Sequence, residues 1–293
     1  MVRDRTIPVT FVTRFAPSPT GLLHLGHAFS ALTAWNAAKV ADGQFLLRIE
    51  DTDRTRARPE YEAAIFEDLA WLGLSWPEPV WRQSERGDVY SGALERLGDL
   101  GLTYPCRCTR ADIRAALSAP QEGANNTVYP GTCRGRSMAE CAPGDAIRLD
   151  LGRALSLLKD QPLTWRETGA AHAGTHTLDR AAMRRRIGDV VLGRKEIGAA
   201  AYHLSVVIDD AAQGITHVIR GEDLLEATST HRLLQALLDL PVPVWHHHTL
   251  IRDEAGKRLA KRNDSCAIRT YREAGRTPEE VREMIGVGRV DGG

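Results

Sequence analysis

His24, Gly26 and His27 are the first residues of the chain whose types and spacing indicate chemistry. They follow a turn rich in proline and serine and precede an alanine-rich apolar segment, 28–41, that predicts a helix. Helix N-termini bind phosphate, because unpaired backbone N–H groups and the helix dipole point outward there. Two imidazoles add donors for charge developing on a phosphate, and the glycine allows a flat ligand close to the backbone. The pattern indicates a nucleotide site; ordinary helix-start histidines with a packing glycine are the alternative.

The residues before this turn predict the strand that positions it. Residues 11–12 are apolar and predict a strand end, so the order is strand, tight turn, helix. The run QFLLRI at 44–49 predicts a second, buried parallel strand that stops at Glu50. Ligands of open α/β sheets lie beyond the carboxyl ends of the strands. A carboxylate there can hold an ammonium group or a ribose hydroxyl, while capping of the next helix is the alternative for Asp51 and Asp53.

Two later strands are predicted in the second half of the chain. The run YHLSVVIDD at 202–210 predicts a core strand with Tyr202 at its start and aspartates 209–210 at its carboxyl end, and 215–220 predicts another that ends at Arg220. An arginine at a strand end beside a pocket is suited to bind a carboxylate bidentately. The alternatives are a salt bridge of this arginine with an acidic residue that follows it and ordinary core packing of the tyrosine. The role of the two aspartates stays open.

Three of the five cysteines lie between positions 106 and 133. Cys106 and Cys108 form a Cys-x-Cys pair, and Cys133 follows Tyr129 in a loop-rich stretch. Three thiolates in a small loop-rich module can hold a zinc ion, which replaces a missing apolar core. Such an ion needs a fourth ligand, histidine is absent there, and phenolate is an unusual ligand. From the spacing alone, three reduced thiols without a metal are an equal alternative.

Bulk properties bound the protein class. The chain has 293 residues, 43% of them hydrophobic, and 38 basic side chains balance 38 acidic ones, so contact with a nucleic acid requires a local basic patch. The absence of a long apolar run or a secretory leader predicts a soluble, cytoplasmic protein, and the odd cysteine count argues against a disulfide framework. The run His246-His247-His248 is not predicted to bind a metal, because consecutive strand residues point to opposite faces.

The last constellation is a basic loop at 253–265. Cations on a mobile loop can close over a triphosphate and neutralise charge that develops during adenylyl transfer. Alone this is weak evidence, since most such loops are solvated surface. Arg258 and Lys261 are the cations that we expect to act in this way.

These stretches together resemble the class I aminoacyl-tRNA synthetases, and specifically their glutamyl branch. HLGH stands where that family has HIGH, the longer run from Arg14 to His27 and the run RIEDTD are glutamyl signatures, and RLAKR stands where the family has KMSKS. Two departures occur in the last motif: Arg258 replaces the first lysine, and Ala260 replaces the serine. The positive charge survives and the hydroxyl does not, which puts the dynamics of the loop in doubt more than its chemistry.

The resemblance implies a fold and a set of roles. The fold is an α/β Rossmann-type parallel-sheet catalytic domain in two halves, 1–103 and 188–250, with an inserted zinc-binding, acceptor-contacting module at 104–187 and a tail, 251–293, that carries the loop. The implied catalytic residues are His24, His27 and Lys261. The implied ATP-binding residues are His24, Gly26, His27, Arg258 and Lys261. The implied glutamate-binding residues are Arg14, Phe15, Ala16, Pro17, Ser18, Glu50, Tyr202 and Arg220, with Glu50 on the amino group.

The resemblance also implies the metals. In short glutamyl-tRNA-synthetase-like proteins, a Cys-x-Cys pair followed by Tyr-x-x-x-Cys is a structural zinc site, and Cys106, Cys108, Tyr129 and Cys133 match it residue by residue. Mg²⁺ is expected to accompany ATP without a protein cage. We expect a monomer that does not bind a membrane.

The chain ends shortly after the basic loop, so we expect no anticodon-binding domain. This resembles the truncated paralogues of glutamyl-tRNA synthetase, which activate glutamate with ATP without tRNA and transfer it to the queuosine base in the anticodon loop of tRNA(Asp). The alternatives are a compact synthetase that charges tRNA(Glu) with help from another chain, a non-catalytic nucleotide- or RNA-binding relative, and a nucleotidylyltransferase of the same fold.

Overall fold

The computed structural model describes residues 10–109, 111–113, 128–159, 161–194, 200–251 and 267–288. Arg258, Lys261 and Cys266 lie outside the described residues. None of the helices in these ranges is long and apolar enough to cross a membrane.

The strands are β1 (Val12–Phe15), β2 (Gln44–Ile49), β3 (Trp81–Arg82), β4 (Thr103–Cys106), β5 (Ala146–Leu149), β6 (Thr164–Glu167), β7 (Gly174–Thr177), β8 (Val191–Gly193), β9 (His217–Gly221) and β10 (Val244–His248). The helices are α1 (Leu25–Val40), α2 (Pro59–Trp71), α3 (Gly87–Asp99), α4 (Leu151–Leu157), α5 (Arg180–Arg186), α6 (Tyr202–Ala212), α7 (Ala227–Leu237), α8 (Ile268–Glu273) and α9 (Pro278–Met284).

Parallel strands form the centre of the fold, as expected. β1, β2 and β3 pair in parallel, and so do β9, β10 and β6, with β7 antiparallel at the edge. The two groups meet at β1 and the residue before β9: Thr216 N donates to Val12 O at 3.0 Å, and the Thr216 hydroxyl accepts from Val12 N at 2.9 Å. The predicted strand at 44–49 and the strand–turn–helix order around His24 are both confirmed.

The direction of chain winding reverses between β1 and β9. From β1 the chain passes through α1 to the neighbouring strand β2, and from β9 it passes through α7 to β10 on the other side. Open α/β sheets bind their ligands at such a reversal, beyond the carboxyl ends of the strands. The topology therefore places the ends of β1 and β9 at one ligand-binding edge.

Residues 202–210 form part of helix α6, so the predicted strand was wrong. The buried residues of α6 are Leu204, Ser205, Val206, Val207, Asp209 and Asp210. A helix buried on several faces gives a continuous apolar run, and periodicity alone does not distinguish it from a buried strand. The β-branched residues 206–208 favour a strand, but packing of α6 against α3, α7 and β8 overrides that preference.

The two aspartates of α6 anchor the helix to the parallel sheet. The guanidinium of Arg48 is completely buried, and its Nη1 donates to Asp210 Oδ1 at 2.8 Å. Arg14 donates its Nε and Nη2 to the same carboxylate at 2.9 and 3.3 Å. Asp209 accepts from Arg86 Nε at 2.7 Å. Burial would raise the pKa of Asp210, but Arg14 and Arg48 lower it, so the carboxylate stays ionised beside its cations.

A separate antiparallel sheet is formed by β4, β5 and β8. Asp189 ties this sheet to its surroundings: its carboxylate accepts from the Tyr104 hydroxyl at 2.6 Å, from Arg134 Nε at 2.8 Å and from Leu151 N at 3.0 Å. The order of strands along the chain does not follow the division into sheets. β6 pairs with β10 beside the parallel strands, whereas β8, which comes later in the sequence than β6, pairs with β5 in the antiparallel sheet.

Replacement of Arg48 by methionine tests the buried charge network. We expect the free energy of unfolding to fall by about 3–5 kcal/mol, because Asp210 and Glu50 both lose a buried cationic partner. Urea denaturation measures this change. Arg56→Met removes an exposed ion pair with Asp53 and should cost less than about 1 kcal/mol. Equal stabilities of the two variants would contradict the account.

Candidate active site

A cavity of about 320 Å³ lies at the reversal point of the sheet. It is bordered by the carboxyl ends of β1, β2, β9 and β10 and by the start of α1. All predicted ATP- and glutamate-binding residues within the described ranges line it: Arg14, Phe15, Ala16, Pro17, Ser18, His24, Gly26, His27, Glu50, Tyr202 and Arg220. Residues far apart in sequence therefore converge on one cavity, while Arg258 and Lys261 lie outside the described residues.

The first turn of α1 fixes the two histidines by reciprocal capping. His24 Nδ1 accepts from Gly26 N at 3.1 Å, and His27 Nδ1 accepts from His24 N at 3.2 Å. The rings stack with their centroids 3.7 Å apart. Since backbone N–H groups only donate, each ring carries its proton on Nε2. Both histidines thus carry an Nε2–H group, which is the form that donates to a phosphate oxygen.

The guanidinium of Arg220 is buried at the cavity wall among neutral acceptors. Its Nε donates to His247 Nε2 at 3.0 Å. Its Nη1 donates to His231 Nδ1 at 3.2 Å and to the Tyr202 hydroxyl at 3.4 Å, the longest of its contacts. Its Nη2 donates to a backbone carbonyl at 3.0 Å and to a threonine hydroxyl at 2.8 Å.

No carboxylate of the described ranges lies within salt-bridge distance of Arg220, so the alternative of a salt bridge with Glu222 or Asp223 is wrong. Burial lowers the pKa of Arg220, yet arginine keeps its charge in proteins. A buried cation with only neutral partners is costly, and an anion relieves that cost. The arrangement is therefore suited to bind a carboxylate.

Arg14 and Glu50 border the same cavity with opposite charges. Arg14 uses its Nε and Nη2 on Asp210, while its Nη1 makes no hydrogen bond to the described residues. Glu50 accepts from Arg48 Nη2 at 3.3 Å. Burial raises the pKa of the Glu50 carboxyl, against the influence of Arg48 and Arg14. A bound ammonium group would favour the ionised form of this carboxyl.

Asp51 and Asp53 do not border the cavity. Asp51 accepts from the backbone N and the hydroxyl of Ser84 at 2.8 and 2.5 Å, and Asp53 accepts from side chains two and three residues further on. Neither caps α2, whose N-cap residue makes no side-chain cap bond. Within the acidic run, Glu50 alone lines the site.

The three consecutive histidines of β10 bind different partners, as the alternation of a strand predicts. His246 Nδ1 contacts the Thr168 hydroxyl at 3.0 Å, and His248 Nε2 contacts the Ser30 hydroxyl at 2.7 Å, while His247 accepts from Arg220. No potential metal cluster within the described part of the chain includes them. The prediction against a metal site at these residues stays a prediction.

Sequence reasoning missed Arg48 and His247 as supports of the site. An arginine inside the apolar run QFLLRI is a usable signal, because a buried charge needs partners. His247 carries no such signal, since only the fold brings it to Arg220 Nε. His248 lines the cavity and was not singled out either.

The four predicted zinc ligands form one cluster. The sulfur atoms of Cys106, Cys108 and Cys133 all lie within 4.8 Å of one another. The Tyr129 hydroxyl lies 3.4 Å from Cys106 Sγ and 3.5 Å from Cys108 Sγ, and Cys108 Sγ lies 3.5 Å from Cys133 Sγ. Ligands of a tetrahedral zinc ion with Zn–S bonds of ~2.3 Å are ~3.8 Å apart, so the donor set and its spacing fit that ion.

The thiol of Cys133 is also tuned for metal binding. Burial alone would raise its pKa, but hydrogen bonds from Tyr129, Arg107 and the other two cysteines lower it to about 7. A thiolate is the form that a metal requires.

The catalytic-domain model of class I tRNA synthetases (E and Q) matches residues 10–150 and 165–289. The chain belongs to this family. The matched ranges include every described residue that lines the cavity, so the family relation extends over the site.

Individual relatives and structures agree with this assignment. A protein of Rhodobacter capsulatus named glutamyl-Q tRNA(Asp) synthetase is 55% identical over 283 residues, which are 94% of this chain and 100% of that protein. A glutamate–tRNA ligase of Aquifex aeolicus is 37% identical over 92% of this chain but only 55% of its own length. The crystal structure of a glutamate–tRNA synthetase from Elizabethkingia anophelis superimposes with a TM-score of 0.75 at 29% identity, and this chain spans 61% of it.

Metal analysis of cysteine variants tests the cluster. We expect one zinc ion per chain in the purified protein and its loss in Cys133→Ser, because three donors do not close the tetrahedron. Elemental analysis and denaturation with and without a chelator measure this change. Cys141→Ser is the matched control, since Cys141 is an exposed free thiol outside the cluster. Equal zinc contents in both variants would exclude the cluster as the site.

Proposed function

We propose that the protein activates L-glutamate with ATP, without needing tRNA, and then transfers the glutamate to the queuosine base in the anticodon loop of tRNA(Asp). The observation that carries the proposal is the buried guanidinium of Arg220, whose partners within the described ranges are all neutral. A glutamate side-chain carboxylate supplies the missing negative charge. It can accept from Nη1 and from the Tyr202 hydroxyl in place of their mutual 3.4 Å contact.

The remaining groups of glutamate find partners in the same cavity. Glu50 accepts from the ammonium group, and Arg14 Nη1 and Ser18 face the α-carboxylate. Residues 15–17 line the adjoining part of the cavity. Two cationic positions, at Arg14 and Arg220, and one anionic position, at Glu50, match an amino acid that carries a second carboxylate.

The start of α1 is assigned to the phosphates of ATP. His24 and His27 donate from Nε2, and Gly26 lets the nucleotide approach the backbone. Mg²⁺ bound to the phosphates would shield their charge and needs no protein cage. The role of Arg258 and Lys261 stays a prediction, supported by the ends of their segment: Ile251 lines the cavity, and Ala267 forms a β-bridge with His24.

The mechanism uses position and charge instead of a covalent intermediate with the protein. A carboxylate oxygen of glutamate attacks the α-phosphorus of ATP, the bond to the bridging oxygen breaks, and pyrophosphate leaves. A queuosine hydroxyl then attacks the glutamyl carbonyl carbon and loses its proton, and AMP leaves. Donors aimed at the phosphates and a fixed amino acid lower both barriers.

The identity of the acceptor rests on the relatives. The Rhodobacter relative, which this chain covers along its whole length, is named for an action on tRNA(Asp). We assign segment 104–187, in which Cys106, Cys108, Tyr129 and Cys133 would hold a structural zinc ion, to contact with the nucleic acid.

Substitution of Arg220 tests the carboxylate site. We expect Arg220→Gln to lower the kcat/KM for glutamate in ATP–pyrophosphate exchange by about 100-fold or more, because a buried charge-assisted contact is lost. Arg276→Gln removes an exposed surface ion pair and should leave this rate unchanged. Unchanged glutamate kinetics in Arg220→Gln would exclude the assignment.

The acceptor is tested with radiolabelled glutamate. We expect label on tRNA(Asp) that contains queuosine and none on tRNA(Asp) that lacks it or on tRNA(Glu), with nuclease mapping that places the label in the anticodon loop. Label at the 3′ end of tRNA(Glu) would instead identify a compact glutamyl-tRNA synthetase. Absence of any glutamate-dependent exchange would identify a non-catalytic relative.

A further inference from the structure

The side chains of Glu167, His247 and Arg220 form a hydrogen-bonded row behind the cavity wall. Glu167, at the carboxyl end of β6, contacts His247 Nδ1 through Oε2 at 2.5 Å, and His247 Nε2 accepts from Arg220 Nε at 3.0 Å. The side chains of Glu167 and His247 are completely buried, and neither lines the cavity. Within the described residues they reach the site through Arg220, both directly and through the Thr228 hydroxyl, which lies 3.4 Å from His247 Nε2 and accepts from Arg220 Nη2.

The hydrogen bonds determine where the protons are. A guanidinium N–H only donates, so His247 Nε2 must accept and the ring proton lies on Nδ1, where it is donated to Glu167. Burial would raise the pKa of the Glu167 carboxyl, but the donors around it lower it. Burial and the charge of Arg220 lower the pKa of His247 to about 4. The row therefore consists of a carboxylate, a neutral imidazole and a cation.

Glu167 is itself held rigidly by the backbone. Its Oε1 accepts from the N–H groups of Thr168, Gly169 and His247 at 3.0, 2.7 and 2.9 Å. A Cβ at position 169 would collide with the His247 carbonyl and with Glu167 Oε1. The glycine thus permits the close turn that aims the carboxylate at the imidazole.

A neutral imidazole leaves Arg220 able to bind a substrate carboxylate, whereas a direct salt bridge with a carboxylate of the protein would compete with the substrate. Asp210 contacts Arg14 bidentately and so occupies two of its donor nitrogens. The same contact at Arg220 would compete with an incoming carboxylate. His247 instead fixes the plane of the guanidinium through Nε and adds no negative charge next to it.

We propose that Glu167 and His247 position Arg220: Glu167 sets the tautomer of His247, and His247 orients the guanidinium so that Nη1 serves the carboxylate of the substrate. This inference rests on the proposed function for the identity of that substrate as glutamate. A purely structural role, in which Glu167 only ties the turn after β6 to β10, is the competing explanation.

Glu167→Gln separates the two roles. The amide oxygen can keep the three backbone N–H bonds, which forces the NH₂ group toward His247 Nδ1. His247 Nδ1 must then accept a hydrogen bond, so the ring proton moves to Nε2. There it faces the Nε–H of Arg220, and the hydrogen bond between the two side chains is lost. We expect the KM for glutamate in pyrophosphate exchange to rise about 10-fold or more, while the KM for ATP changes less than about twofold.

Two further measurements keep the test decisive. His247→Phe keeps an aromatic ring at this position but removes the Nε2 acceptor of Arg220, so it should raise the KM for glutamate in the same way. The ¹⁵N shifts of the imidazole in the unmodified protein should show His247 protonated on Nδ1 and, in Glu167→Gln, on Nε2. Arg166→Gln, an exposed neighbour on β6, is the control and should change none of these quantities.

The outcomes are distinct. An unchanged KM for glutamate in folded Glu167→Gln, or protonation of His247 on Nε2 in the unmodified protein, would overturn the positioning role. Loss of stability with an unchanged KM would support the structural role instead. Absence of glutamate-dependent exchange in the unmodified protein would overturn the proposed function, while the imidazole spectrum would still decide the tautomer that Glu167 sets.

Discussion

The free energy of a desolvated positive charge is the constraint on which this site depends. Arg48 and Arg14 are buried, and the carboxylate of Asp210 compensates their positive charges. Arg220 is buried at the same edge of the sheet, and its partners among the described residues are all neutral. All three arginines lie at or near the carboxyl ends of parallel strands, and they differ in their partners. Arg48 and Arg14 are compensated by a carboxylate of the fold, although Arg14 also lines the cavity, whereas Arg220 has no such carboxylate within the described ranges.

The topology places this positive charge and the N-terminus of α1 at one cavity. The reversal between β1 and β9 brings Arg220 to the same cavity as the first turn of α1, where His24 and His27 are capped with their protons on Nε2. A carboxylate and a phosphate can therefore lie side by side, as the formation of an acyl-adenylate requires. Membership of the class I tRNA synthetase family agrees with this arrangement.

The sequence was sufficient to predict local motifs and insufficient for what supports them. The HLGH corner, Glu50 and Arg220 were singled out by patterns typical of strand ends and helix starts, and the role of Tyr202 by the family resemblance, since the strand predicted around it is a helix. All of them line the cavity. Helix α6 was mistaken for a strand, because burial on several faces removes the 3.6-residue period. The contact of Glu167 with His247 spans 80 residues and depends on the pairing of β6 with β10, which no local pattern specifies.

The structure of the protein with L-glutamate bound is the most direct test of the central claim. The account predicts an oxygen of the side-chain carboxylate within about 3 Å of Arg220 Nη1 and of the Tyr202 hydroxyl, with the ammonium group on Glu50. A side-chain carboxylate bound elsewhere, with the Arg220–Tyr202 contact intact and Arg220 still surrounded only by neutral groups, would contradict it.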